Sequence, residues 1–189
     1  MPSHVQDPEE ALRAVLAAMG FDQDPETAAT PAAFLELLRG LDPRRPAPVL
    51  TLLQTPSTDP VLLRGLPFHS LCAHHLVPFF GTACVGIRPA GRLAGLGGIA
   101  RLLHHFAQRP QLQERLGAAL AQDLLERLGA RTVFVHLEAR HLCLEMRGAR
   151  TPAQVETLAW RGADDPDLRM LLGEVHPRSD AKDQDPHTR

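Results

Sequence analysis

The sequence predicts an α+β domain: an antiparallel sheet in ββααββ order, with helices on one face and a helical extension at its N-terminus. Three observations predict it. Short apolar runs between 61 and 87 (VLL, PFHSL, FFGTACVGI) read as strands. Two stretches with apolar residues at spacings of three and four follow, and read as helices. Two further short runs, TVFVHL and HLCLEMR, close the order as strands.

The elements follow in chain order. Asp7 suits a cap, Pro8 the first helical position, Glu9 and Glu10 the positive helix end, and Gly20 the stop. Thr30 and Pro31 repeat this grammar, and Phe34, Leu35, Leu37 and Leu38 form an apolar stripe ending at Gly40. LDPRRPAPV and QTPSTDP read as proline-rich connection. One predicted helix runs from Ile99 to Gln108. The next runs from Gln111 to Leu128, with Leu112, Leu116, Ala119, Leu120 and Leu124 on one stripe and Gly129 as its stop. Strands are predicted over Thr132–Leu137 and His141–Arg147; beyond Gly148 the pattern weakens. The expected division is a helical extension and linker over 1–60, a catalytic domain over 61–175, and a disordered polar tail over 176–189.

The chain has 189 residues, 44% of them apolar, enough for one globular core. Its net charge of −2 gives no general attraction to nucleic acid or to an anionic membrane, so any anion site must be local. Three cysteines make too sparse a set for a disulfide scaffold and suit reduced thiols. The N-terminus lacks the pattern of a secretory signal, and no apolar run approaches the roughly 20 residues that span a bilayer. The expectation is a cytoplasmic protein that binds neither membrane nor nucleic acid.

LCAHHLVPFFG, residues 71–81, sets one cysteine and two adjacent histidines before an apolar run. A metal site, an acid–base pair and a chance loop cluster all fit that stretch. In HLCLEMR, strand alternation puts His141, Cys143, Glu145 and Arg147 on one face and Leu142, Leu144 and Met146 on the other. Cys72 and His75 are close enough in sequence for a turn to bring both to one metal, with Cys143 as a third ligand. Two thiolates and an imidazole suit Zn2+, and three protein ligands leave the fourth position open, as in hydrolytic zinc sites. His74 and His141 then remain as proton-transfer groups, since histidine titrates near neutrality. The plainer alternatives are spare surface histidines, and a closed structural site with Cys84 as fourth ligand. Cys84 sits within an apolar strand, where a small core cysteine is ordinary.

FHSLCAHHLVPFFG, FAQRPQLQERL (106–116) and EARHLCLEMRG (138–148), in that order, resemble the GTP cyclohydrolase I family of the T-fold superfamily. The leading AMGFDQDPET gives a weaker echo. The resemblance implies a zinc-dependent hydrolase that opens the imidazole ring of GTP. Water adds at C8, formate leaves, and the ribose rearranges to give 7,8-dihydroneopterin triphosphate, a step toward tetrahydrofolate and other pterins. It implies zinc ligands at Cys72, His75 and Cys143 and catalytic histidines at His74 and His141. It also implies substrate contacts at Glu114, with Gln113 beside it on the guanine edge, and at Arg101 and Arg147 on the triphosphate. It implies a ring-forming homo-oligomer, a decamer of two pentamers, in which Glu114 serves a neighbouring chain's zinc.

The chain departs from the family pattern at several positions. Ala73 stands where the family usually has glutamate, and Gly97 and Gly98 replace its serine and lysine. Gly117 replaces a threonine, and TPAQVETLAW lacks the threonine- and serine-rich segment expected there. These changes spare the metal and guanine positions and fall on the phosphate side. A diverged enzyme for a less phosphorylated purine nucleotide, or a purine-binding subunit without turnover, are the alternatives they raise.

Overall fold

The computed structural model describes residues 7–175; the tail expected over 176–189 lies outside the described residues. Helix α1 (Pro8–Ala18) begins as its sequence requires: the Asp7 carboxylate accepts the N–H of Glu9 at 3.1 Å. Helix α2 (Thr30–Gly40) packs against it. Thr30 does not cap α2 but lies within it, because a 3₁₀ turn over Pro25–Thr27 leads almost directly in and Ala29 takes the cap position.

A short strand, β1 (Leu52–Gln54), precedes the main hairpin of β2 (Val61–Cys72) and β3 (Pro78–Arg88). VLL and PFHSL are one strand, not two. Leu63 faces Val85 while Leu66 faces Ala83, so β2 carries one extra residue at Arg64–Gly65. Gly65, at φ 68°, supplies the left-handed backbone such a bulge needs. The bulge switches the parity of β2. Leu63 shares a face with Leu66, Phe68, Ser70 and Cys72, and that face pairs with Val85, Ala83, Gly81 and Phe79.

After β3 come β4 (Arg92–Ala94), paired with β1, then α3 (Leu96–Ala107), β5 (Pro110–Gln111) and α4 (Gln113–Leu128). Strand β6 (Thr132–His141) follows, then a single helical turn, α5 (Leu142–Glu145), strand β7 (Gln154–Gly162) and helix α6 (Pro166–Val175). The sheet order is β5-β2-β3-β6-β7, antiparallel except for β5 beside β2.

Helices α3 and α4 lie on the face that carries Cys72. Ile99, Leu102 and Leu103 of α3 and Leu116, Leu120 and Leu124 of α4 are sealed against Phe68, Val85, Val135 and Leu137. At about 1.5–3 kcal/mol per buried large apolar side chain, this layer is the main source of stability. The opposite face buries Cys84 and Phe134 under Leu168 of α6. Asp165 caps α6 by accepting the N–H of Leu168, and both its oxygens accept from the Arg88 guanidinium at 2.6 and 2.8 Å. That pair ties α6 to β3.

HLCLEMR is not a strand: only His141 belongs to β6, and Leu142–Glu145 turns helically, with the N–H of Met146 donating to Leu142 O at 2.8 Å. The stretch holds no β-branched residue, and leucine, methionine, glutamate and arginine all favour a helix. Arg140 closes the turn with a two-pronged ion pair to Glu145, at 3.0 and 2.6 Å. The second edge of the order is therefore completed by β7, from the segment in which the pattern had weakened. No helix among the described residues is long and apolar enough to cross a membrane.

Candidate active site

The β2–β3 hairpin closes through Cys72–Val77. The N–H of Cys72 donates to Val77 O, and the N–H groups of His75 and Leu76 both reach back to Cys72 O. Leu76 sits at φ 52°, a conformation a leucine adopts only under constraint, and this tightens the turn. The result is local: Cys72 Sγ lies 3.6 Å from His75 Nδ1, and ligand atoms of Cys72, His74 and His75 all lie within 4.8 Å of one another. Cys72 is buried, while His74 and His75 are exposed.

Cys143 arrives from α5. Its thiol lies against that of Cys72, and burial, then the neighbouring sulfur, pushes its pKa up. The Cys143 thiol beside the Cys72 thiol and the His75 imidazole forms a donor set that a soft dication would ionise and bind. The 3.6 Å separation is also about the S···N edge of a tetrahedron with arms of ~2.3 and ~2.05 Å, as zinc prefers. The residues present therefore fit zinc. Cys84 cannot join them: it lies on the opposite face of β3, across from His136, and burial raises its thiol pKa.

His141 ends β6 on the same face as Cys72. It pairs across the ladder with Phe79, and the two rings stack at 4.8 Å and 9°. Burial holds its imidazole pKa below the usual value, opposed by the negative charge of Glu114. Strand β5 pairs with the end of β2 (Cys72 opposite Gln111), which sets the start of α4 beside the cluster.

Gln113 and Glu114, adjacent in sequence, part company there. Glu114 is exposed and borders a cleft of about 310 Å³ between α4 and β7, with Gly117, Thr157 and Arg161 also in its walls. Gln113 is 1% exposed. Its amide donates to Leu137 O at 3.1 Å and Val155 O at 2.9 Å, and its oxygen meets His141 Nε2 at 2.7 Å. Each polar atom of that amide has a protein partner, so Gln113 faces the sheet and His141 while Glu114 faces the cleft.

Both arginines are exposed. Arg147 is near enough for its charge to favour the Cys143 thiolate. Arg101 bends back over the first turn of α3: a Cβ on Gly97 would stand 3.5 Å from its Nη1, and one on Gly98 3.9 Å from its Nη2. It occupies space beside the two glycines that replace the expected serine and lysine. Glu145 turns away to Arg140, so the four-residue face read from HLCLEMR is not formed. The stacking by Phe79 was not foreseen, since cross-strand register is not written in either segment.

The family model for GTP cyclohydrolase I matches residues 8–173. GTP cyclohydrolase 1 from Thermobifida fusca is 43% identical over 172 residues, covering 86% of this chain and 83% of that protein. GTP cyclohydrolase 1 from Corynebacterium glutamicum is 45% identical over 157 residues, covering 78% and 79%. Among solved structures, the archaeosine synthase QueF-Like in its apo form aligns with a TM-score of 0.43 and 17% identity, over 65% of this chain and all of that one.

Proposed function

The chain belongs to the GTP cyclohydrolase I family, and from that membership we propose that it hydrolyses the imidazole ring of GTP, releasing formate and yielding 7,8-dihydroneopterin triphosphate. One observation carries the reading: Cys72, His74 and His75 converge in one turn, with Cys143 against Cys72. Cys72, His75 and Cys143 would hold zinc, which supplies Lewis acidity to make water nucleophilic near neutral pH.

The chain's own groups do the rest. His141, whose imidazole pKa is lowered by burial, is suited to accept a proton and return it. His74, exposed at the turn, is a second proton carrier. The Glu114 carboxylate can accept the ring N–H and the amino N–H of guanine together, a paired recognition no neutral side chain matches. Arg101 and Arg147 supply charge for the triphosphate. The protein acts in the cytoplasm as a homo-oligomer, a decamer by family resemblance. In support, β7 ends the sheet with no partner along its outer edge among the described residues.

The test is formate release from GTP by the zinc-loaded protein, beside His141→Ala. Formate and a pterin from the wild type, both lost in the variant, are expected; no formate from GTP by zinc-loaded wild type would overturn the reading. The placement of Arg101 over Gly97 and Gly98 favours a second reading, in which a less phosphorylated guanine nucleotide is the substrate. GMP and guanosine in the same assay separate the two.

A further inference from the structure

Gln113 joins three elements through one amide. Two backbone carbonyl oxygens, Leu137 O on β6 and Val155 O on β7, face its Nε2 at 3.1 and 2.9 Å. Only an NH2 group can meet two carbonyls, and its two hydrogens are spent on them. The amide orientation is therefore set by the sheet and not by the histidine. The remaining atom, Oε1, can only accept, and it faces His141 Nε2 at 2.7 Å. The nitrogen it faces must carry the hydrogen. The stack on Phe79 at 4.8 Å fixes the plane of the same ring.

We propose that Gln113 is a positioning residue that locks His141 in its Nε2–H tautomer, leaving Nδ1 as the one lone-pair nitrogen of the ring. This rests on the reading of His141 as a proton-transfer group. The lock is rigid for a physical reason. Turning the amide over would set its oxygen against two carbonyl oxygens and leave these buried acceptors without a donor, a cost that no change of histidine tautomer relieves. Because Gln113 is 1% exposed, water cannot take over either partner. The adjacent pair thus divides its labour: Glu114 faces outward to ligand, and Gln113 faces inward to the histidine that serves it.

The direct test is ¹⁵N solid-state NMR of the intact protein with labelled histidine, the His141 signals being picked out by difference against His141→Ala. A protonated Nε2 and an unprotonated Nδ1 are expected, and the opposite tautomer overturns the lock. This measurement does not depend on turnover, so it stands whether or not GTP is the substrate; formate release by the wild type reports on that separately. Gln113→Met keeps the side-chain volume and removes the acceptor. It should lower kcat at least tenfold with KM within about twofold. A raised KM with unchanged kcat in Gln113→Met would mean that Gln113 binds substrate after all.

Discussion

Phe79 and His141 stand opposite each other on β3 and β6, with ring centroids 4.8 Å apart and planes within 9° of parallel. One is a core residue and the other belongs to the candidate site, so the hydrophobic layer continues without a break up to that site. Phe68 meets Phe79 edge-on at 6.0 Å and extends that continuity back to β2. The histidine is thus braced on one face by an aromatic plate and along one edge by the Gln113 amide.

Replacing that plate should be felt twice. Phe79→Ala removes a side chain with no solvent exposure and should cost about 3–5 kcal/mol. Phe79→Leu should cost only about 1–2 kcal/mol, yet still lower kcat because the stack is gone. Urea unfolding beside formate release separates the two effects; an unchanged kcat in Phe79→Leu would make the stack structural only.

The three cysteines should divide cleanly. Cys72→Ser and Cys143→Ser should each lose stoichiometric zinc, while Cys84→Ser, altered on the far face of the sheet, should retain it. Elemental analysis after gel filtration checks this. Zinc lost equally from Cys84→Ser would contradict the two-face arrangement.

The cap of α6 predicts an acid limb of the stability curve. Hydrogen bonds from Arg88, helped by the Leu168 N–H, hold the Asp165 pKa at about 2, against about 3.9 in an unfolded chain. A depressed folded pKa means that the stabilisation is complete above the unfolded value. It is then lost as pH falls from about 4 toward about 2, on the order of 2 kcal/mol in all. Asp165→Asn should flatten that limb in denaturant titrations between these pH values.

The start of α3 predicts a substrate effect. Gly97→Ser meets only ordinary contact from Arg101, and Gly98→Lys presses on Leu50 Cδ2 at 3.2 Å, the end of a flexible side chain. Together they should lower KM for GTP about tenfold while leaving guanosine unaffected. Equal changes for both substrates would place these glycines outside the phosphate subsite.

Much of this was legible in the sequence where local chemistry decides. Asp7 and Pro8 mark a helix start because capping needs no distant partner, and Cys72 and His75 meet because one turn suffices. The ββααββ order of an α+β domain is likewise the order found. What failed depended on tertiary partners. HLCLEMR alternates as a strand would, but its turn is secured by Arg140, which lies before it in β6. The pattern weakens beyond Gly148 because β7 gains its strand character from pairing with β6. Gln113 could not be told from Glu114 because only the sheet decides which of two neighbours points inward.

The extra residue at Arg64–Gly65 makes the start of β2 sensitive to counting. Hairpin lengths ordinarily drift, since exposed insertions cost little. Between Leu63 and Leu66, however, a change by an odd number of residues would turn Val61–Leu63 over to the side of the sheet where Cys84 lies, while Leu66–Cys72 keep their face through their own pairing with β3 and with Val77. The exposed pair Arg64 and Gly65 therefore sets a parity that the start of β2 inherits, and gaps in relatives that keep an apolar residue at the position of Leu63 should occur there only in twos.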